Sequence, residues 1–308
     1  MKHPLISIIM PCFNAEAFLP RSLASVQSQS FSNWELIAID DGSTDGTLGY
    51  LRSQRDPRLK IISQSNSGVS AARNAGLEIA KGTYVAFLDA DDSWRSDFLQ
   101  KMHTALSADE DAVLAYCGWQ NVGLPGDRGA PFIPTDYETP DKLERLFEGC
   151  RWPIHAALTH LEAIKKAGGF DTTLAIAEDF LLWLRIALTG RILRVPEVLA
   201  YYHFHGEAQA TSKADQMALQ LLRAKRIFLD DHPEITTQIG PAKIRTLTLR
   251  PLLQQGYECY WKRDLSSARR IFREVMKNGY GKLNDWKYML PSLLPLTWHR
   301  WIIKKLSK

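Results

Sequence analysis

The stretch Val85-Ala86-Phe87-Leu88-Asp89-Ala90-Asp91-Asp92 decides the fold. Its first half is an unbroken apolar run and its second half carries three carboxylates. That is the pattern of a buried strand whose tip emerges at a surface. Ligands of open α/β sheets gather at such carboxyl ends. Like charges within one turn repel each other, and solvent, a cation or a shifted pKa relieves them. Two readings of the acids stand side by side: hard oxygen ligands for a divalent cation carrying phosphates, and a solvated loop that keeps a strand end wet.

Working outward, residues 5–10 (LISIIM) read as a buried strand that Pro11 closes, with Cys12-Phe13-Asn14 as the loop beyond it. Leu19, Leu23 and Val26 recur at helical spacing and predict a helix over 16–29. A second strand at 34–39 (WELIAI) runs into Asp40 and Asp41, then the turn residues GSTDGT and a helix over 47–54. A third short strand is expected at 59–63. Strands alternating with helices indicate βαβ units and a parallel sheet. The loops at 11–14, 40–47 and 89–92 then lie on one edge of that sheet and can converge on one ligand. Residues 66–76 (NSGVSAARNAG) open with turn chemistry and become a helix of small residues that permits close backbone packing. Arg73 is a fixed cation in this acidic neighbourhood. It reads either as a salt bridge to a sheet-end aspartate or as a contact to the base, ribose or phosphate of a nucleotide. No GxGxxG follows a strand and no GxxxxGK[ST] occurs, so neither glycine cradle for phosphates is present.

With 308 residues the chain is long enough for one large domain with an appendage, or for two domains. Apolar content of 45% and charged content of 23% suit a soluble globular protein. Four cysteines without a CxxC pair argue against a zinc site and a disulfide framework, and fit a reducing compartment. Pro11 and Asn14 break the first apolar stretch too soon for a signal peptide. No apolar run reaches the roughly 18 residues of a membrane span. The net charge of +4 hides an asymmetry: residues 1–150 hold 13 Lys+Arg against 20 Asp+Glu, and residues 151–308 hold 25 against 14. The basic half could face phosphates, an anionic membrane or an acidic partner, or simply solvate helix faces.

Pro11-Cys12-Phe13-Asn14, DDGSTDGT at 40–47, NSGVSAARNAG at 66–76 and LDADD at 88–92 stand in the order and spacing of family 2 glycosyltransferases, which the chain resembles. The likeness continues through Gly168-Gly169-Phe170-Asp171, Glu178-Asp179 and Val195-Pro196-Glu197, and covers roughly residues 4–212. It implies the GT-A fold: a Rossmann-like, mixed but mostly parallel sheet flanked by helices, here with a C-terminal helical extension. It also implies a nucleotide-sugar donor, in the first instance a UDP-sugar, and a divalent metal, Mn²⁺ or Mg²⁺. Asp89-Ala90-Asp91 is similar to the family's DxD motif, whose acids address the metal and the ribose–diphosphate. Asp41 resembles the acid that holds the base or ribose. Pro11 and Phe13 resemble the lining of the nucleoside slot, where many relatives carry Tyr in place of Phe13. Arg73 resembles the basic residue beside the nucleotide. Relatives often have Arg at the position of His203 and His at that of His205, so His203 departs from the pattern, and His205 reads as a metal or diphosphate contact or as a bystander. Asp92 reads as a turn or cap residue ahead of Ser93-Trp94.

Asp179 resembles the family's catalytic base. Attack of an acceptor hydroxyl on an anomeric carbon needs a group to take the proton, and inversion by single displacement needs one such carboxylate. Asp179 also precedes an apolar helix from Phe180 to Ile186, so an N-cap role with a pKa lowered by the helix dipole is compatible. Glu178 reads as a partner of Arg185 or a contact to the acceptor. Residues 149–154 read as the acceptor side, with Trp152, Trp183 and Trp119 as candidate flat faces for a sugar, and core packing as the stronger role for Trp183.

The expected domains are 1–214 for nucleotide-sugar binding and catalysis, 215–290 for a helical hairpin extension turning at 262–265, and 291–308 for a basic amphipathic tail. The tail carries Trp298 and Trp301 among Arg and Lys, with no acid from 286 to 308, and suits either a membrane interface or docking onto the protein. Cysteine usage and the lack of a signal-peptide pattern place the protein in the cytoplasm, and the tail places it there or peripherally on the inner face of the plasma membrane. It implies an inverting, metal-dependent enzyme of cell-surface polysaccharide synthesis with a glycan or lipid-linked acceptor and no nucleic-acid partner. The alternative is a non-catalytic nucleotide-sugar-binding or scaffolding protein of the same fold.

Overall fold

A computed structural model describes residues 3–205 and 213–300. The chain divides into two compact units, residues 1–206 and 207–308.

The first unit is an α/β sheet domain. Its elements in order are β1 (Ile6–Cys12), α1 (Leu19–Gln27), β2 (Trp34–Asp41), α2 (Thr47–Ser53), β3 (Leu59–Gln64), α3 (Val69–Ile79), β4 (Tyr84–Phe87), β5 (Ser93–Trp94) and α4 (Phe98–Ser107). They continue with β6 (Ala112–Val122), β7 (Pro131–Phe132), α5 (Lys142–Glu148), β8 (Ala157–His160), α6 (Leu161–Lys166), α7 (Glu178–Ala187) and β9 (Arg191–His203). The strand order is β3-β2-β1-β4-β8-β6-β9-β5, with β7 hydrogen-bonded to β6. β3, β2, β1 and β4 run parallel. β8 enters antiparallel between β4 and β6, and β6 and β9 are again parallel. β1 and β2 are buried almost throughout because βαβ crossovers cover parallel strands with helices.

The small residues of α3 explain its seat. A Cβ at Gly76 would come within 2.7 Å of Ile9 Cγ2, so glycine lets this helix lie directly on β1. The early parallel strands and their three loops therefore stand where the sequence expects them. The second half of the sheet does not follow from local pattern, because its antiparallel insertions join segments far apart in the chain.

The second unit is all helical in its described part: α8 (Ala214–Asp231), α9 (Pro233–Ile239), α10 (Pro241–Trp261), α11 (Leu265–Lys277), α12 (Leu283–Met289) and a 3₁₀ turn at Leu290–Leu293. Its core is built from Leu222, Leu249, Leu252, Ala268, Ile271, Phe272, Val275 and Met289. The turn expected at 262–265 lies between α10 and α11. Arg263 has φ 65° there, and Asp264 caps α11 by accepting from Ser267 N at 3.2 Å. α10 also contains Pro251, which has no N–H to give to the carbonyl of Leu247. Lys225 of α8, 1% exposed, donates its Nζ to that carbonyl at 3.0 Å. No described helix is long and apolar enough to cross a membrane. Residues 301–308 of the expected tail lie outside the described residues.

Candidate active site at the carboxyl edge of the sheet

β2, β1 and β4 are neighbours and parallel, so the loops that follow them share one edge. Backbone groups knit these loops together. Asn14 N donates to Ser43 Oγ at 3.0 Å, Thr44 N to Asn14 Oδ1 at 2.8 Å, and Ala15 N to Thr47 Oγ1 at 2.7 Å. Asn14 takes φ 48°, a conformation its short polar side chain tolerates. Pro11 is half-buried at the end of β1, and Phe13 stands 51% exposed beyond it as a free ring face.

Asp41 is buried, and its carboxylate accepts from Gln64 Nε2 at 2.8 Å, Ser67 N at 2.9 Å and Gly68 N at 2.8 Å. It thus fixes the turn that leads into α3. Asp40 accepts from Ser63 Oγ and Ser43 N.

Arg73 of α3 is the hub. Its side chain is 3% exposed, with Nη2 2.7 Å from Asp89 Oδ1 and Nη1 2.6 Å from Glu178 Oε1. The guanidinium carbon lies 5.2 Å from the centre of the Phe170 ring, and that ring meets Phe87 of β4 edge-on at 5.0 Å. Asn74 clamps both backbone groups of Phe170, donating to its carbonyl at 2.8 Å and accepting its N–H at 2.9 Å. Gly169 precedes it with φ 70°, where a Cβ would come within 2.9 Å of Asn74 Oδ1. The Gly-Gly-Phe run therefore supports the arginine. Glu178 takes Arg73 as its partner, a pairing that neither sequence reading of Glu178 contained.

Asp89 and Asp91 follow β4. Asp91 Oδ2 lies 2.8 Å from His205 Nε2, and the His205 ring stacks on Phe18 with centroids 4.4 Å apart. Burial, then the neighbouring charges of Asp92 and Asp89, push the Asp91 carboxyl above its ordinary range, against the pull of His205. α1 holds the loop by its carbonyls: Ser22 Oγ donates to Ala90 O and Asp92 O, and Arg21 Nη2 to Asp91 O. Asp91 and His205 together offer one carboxylate and one imidazole. Among the described residues no group of three or more His, Cys, Asp or Glu forms a closed metal cage. Two such donors fit a divalent ion that takes its remaining oxygens from a diphosphate and water.

Asp92 closes the expected turn, its N–H donating to Asp89 O at 3.0 Å, but its side chain does more than cap. It is 1% exposed, accepts from His203 N at 2.9 Å and stands 3.0 Å from His155 Nδ1. Burial lowers the His155 pKa, but the Asp92 carboxylate outweighs it and the net displacement is upward. Ser93 Oγ lies 2.8 Å from His203 Nε2, and Trp94 Nε1 donates to the His155 carbonyl at 2.6 Å. The acidic loop is thereby tied to β9 and to the segment before β8.

Asp179 lies in the first turn of α7 beside Glu178. The helix cap is Ala177, not Asp179, and Ala177 is held at φ 67°, a left-handed conformation that is strained for alanine. The expected lowering of the Asp179 pKa is also reversed. Burial first, then the adjacent Glu178 charge, push its carboxyl up to about 7, with Arg73 and the Phe180 N–H pulling the other way. Trp152 is a second correction. It is buried and stacks on Tyr116 at 4.3 Å, so it packs the core in place of facing a sugar. Trp183 is buried as well, as its apolar helix pattern indicates, while Trp119 is half-buried against Phe132.

The arrangement joins an acidic, partly open loop, a histidine and a carboxylate protonated near neutrality around one buried arginine. Comparison with known proteins bears on the family and the fold. The profile of Glycosyl transferase family 2 matches residues 7–157. The chain is 36% identical over 217 residues to a putative teichuronic acid biosynthesis glycosyltransferase of Bacillus subtilis, an alignment covering 68% of this chain and 83% of that one. It is 31% identical over 193 residues to a UDP-Glc:alpha-D-GlcNAc-diphosphoundecaprenol beta-1,3-glucosyltransferase of Escherichia coli, covering 62% of this chain and 73% of that one. Among solved structures, a mannosyltransferase of Pyrobaculum calidifontis in complex with GDP-Man and Mn²⁺ superposes with a TM-score of 0.62 at 19% identity. That superposition covers 98% of this chain and 84% of the other, and it shows the GT-A fold.

Proposed function

The chain belongs to glycosyltransferase family 2, and from that premise we propose that it transfers a sugar, with inversion, from a UDP-sugar to a hydroxyl of a glycan or lipid-linked acceptor in cell-surface polysaccharide synthesis. The observation that carries the proposal is the Arg73 bridge. One buried guanidinium joins Asp89 of the acidic strand-end loop to Glu178, the neighbour of Asp179. It draws a donor-binding edge and a base into one site although they are about 90 residues apart in the chain.

In this reading Phe13 offers its ring to the nucleoside base, Pro11 lines the slot, and Asp41 orders the turn against which base or ribose rests. Asp89 addresses the ribose–diphosphate. Asp91 and His205 would hold Mn²⁺ or Mg²⁺, which when bound supplies positive charge toward the leaving diphosphate. Asp179 takes the proton of the acceptor hydroxyl as the oxygen attacks the anomeric carbon. The bond from that carbon to the diphosphate oxygen breaks, and the electron pair leaves with the nucleoside diphosphate. A base with a pKa near neutrality is matched to this task. Donor names of relatives support the nucleotide-sugar assignment, and their roles in teichuronic acid and lipid-linked glycan synthesis support the acceptor class.

The test is transfer and donor hydrolysis with UDP-sugars in Mn²⁺ or Mg²⁺, compared with Asp91→Ala and Asp179→Ala. Loss in both variants, with fold retained, is expected. Full transfer by Asp179→Ala would remove the base assignment, and a wild-type protein that binds UDP-sugars without turning them over is the scaffolding alternative.

A further inference from the structure

The outer face of residues 282–300 is built for a different ligand from the one at the sheet edge. The inner side of this segment is fastened to the helical unit. Met289, Ser292 and His299 are fully buried, Trp286, Tyr288 and Leu296 pack on its core, and Arg273 Nε donates to the Ser292 carbonyl at 2.9 Å. The outer side carries large apolar groups in water: Leu283 is 89% exposed, Leu290 49%, Leu293 57% and Trp298 64%. Leu283 and Leu290 are two helical turns apart and share a face, with Lys287 between them. Trp261, at the end of α10, is 59% exposed and meets Tyr288 edge-on at 5.7 Å. Isolated exposed apolar residues are ordinary, but a series of them along one segment marks a docking face.

Charge in this segment is mostly of one sign, and beside Trp261 the exposed Glu258 is paired with Lys262 at 3.8 Å. The described residues 282–300 contain Lys282, Lys287 and Arg300 against a single acid, Asp285. That acid is spent internally, accepting from Tyr257 Oη at 2.7 Å and from Lys282 N. Lys282, Lys287 and Arg300 are exposed, and Lys287 Nζ lies 5.0 Å from the centre of the Tyr288 ring. A second copy of the same face would bring cations against cations. Exposed leucine and tryptophan flanked by Lys and Arg, with the neighbouring acids paired, complement an anionic lipid surface: the rings sit at headgroup depth and the cations meet the phosphates.

We propose that this face, Trp261, Leu283, Leu290, Leu293 and Trp298 ringed by Lys282, Lys287 and Arg300, is an interfacial anchor that binds the surface of an anionic bilayer. The inference stands on this face alone and does not need the reaction proposed above.

Co-sedimentation of the full chain with vesicles tests it, using phosphatidylcholine alone and phosphatidylcholine mixed with phosphatidylglycerol. The expected result is recovery with the anionic vesicles at least about tenfold above the neutral ones, falling as salt screens the attraction. A Leu290→Glu, Leu293→Glu, Trp298→Glu variant should lose that recovery, and Lys287→Glu, Arg300→Glu should weaken it, while the thermal midpoint and donor hydrolysis of each stay at the wild-type level. Lys287→Gln, Arg300→Gln serves as a milder second pair. Equal recovery of wild type with both vesicles overturns the proposal, as does a triple variant recovered like wild type. A dimer that dissociates in the triple variant, without vesicle recovery of the wild type, assigns the face to a second copy and overturns it as well.

Discussion

Asp179 and Glu178 are adjacent carboxylates with different employment. Glu178 is paired with Arg73, and burial followed by the Glu178 charge raises the Asp179 pKa to about 7 against the pull of Arg73. Three outcomes follow. Transfer should climb as pH rises through about 7, because only the ionised carboxylate accepts the proton, and Asp179→Asn should lose about 10²–10⁴-fold in kcat together with that limb. Glu178→Gln removes the nearest like charge, so the limb should move to lower pH. Stability gives an independent check with a definite sign. A carboxyl whose pKa is higher folded than unfolded costs stability when ionised. The cost is absent below the unfolded value of 3.8, grows as pH rises, and is complete above about 7. Asp179→Asn should therefore raise the thermal midpoint at pH 8 and leave it unchanged near pH 4. Equal effects at both pH values would contradict the assignment. Arg73 sits on the same balance. Arg73→Met leaves Glu178 and Asp89 without their shared cation and should cost about 3 kcal/mol in denaturant unfolding, as breaking a buried ion pair does.

At the scale of elements, α10 continues through Pro251 because another helix supplies the missing donor. Lys225 gives the Leu247 carbonyl the hydrogen bond that Pro251 cannot. Lys225→Met should cost about 1 kcal/mol by removing the partner of that part-buried carbonyl. Pro251→Ala restores the helical N–H, so the loss on removing Lys225 should shrink in the Pro251→Ala background, a coupling that a double-mutant cycle measures directly. How far the elements were legible follows the range of the interactions that make them. β1, β2 and β4 appear in the sequence as short apolar runs ending in polar loops, and burial of those runs on both faces suffices to place them. α3 appears as a run of small residues, and the break between α10 and α11 as a turn before Asp264. The place of β8 between β4 and β6 has no local signature, because antiparallel pairing across more than 70 residues depends on which backbone edges remain free. Trp152 misled for a related reason: a tryptophan in a loop segment looks available to a sugar until the Tyr116 ring is found stacked on it.

For the whole molecule, the donor should act as a stabilising ligand. UDP with Mn²⁺ is expected to raise the thermal midpoint, by about 2.7 kcal/mol of linkage at a hundredfold excess over Kd. His205→Ala and Asp91→Ala should reduce the part of that shift that depends on the ion. Chelation should abolish transfer, and added Mn²⁺ or Mg²⁺ should restore it. A shift indifferent to chelator and to both substitutions would remove these two residues from the donor site.

By itself the sequence determined the parallel start of the sheet, the edge on which the acids gather, the family, and the helical, basic character of the last third. The family follows from resemblance of its motifs to known sequences, and the rest from local pattern: apolar runs must be buried, charged tips must stay near water, and turn residues sit between them. Tertiary structure decided what the charged groups do. Arg73 and Glu178 are 105 residues apart, and Asp92 and His203 are 111 apart. Only the folded sheet brings Glu178 onto the arginine, buries Asp92 against His155 and turns Asp179 from an ordinary first-turn acid into one protonated near neutrality. A pKa is set by what surrounds a group in space, and at that distance along the chain neither spacing nor composition carries the information.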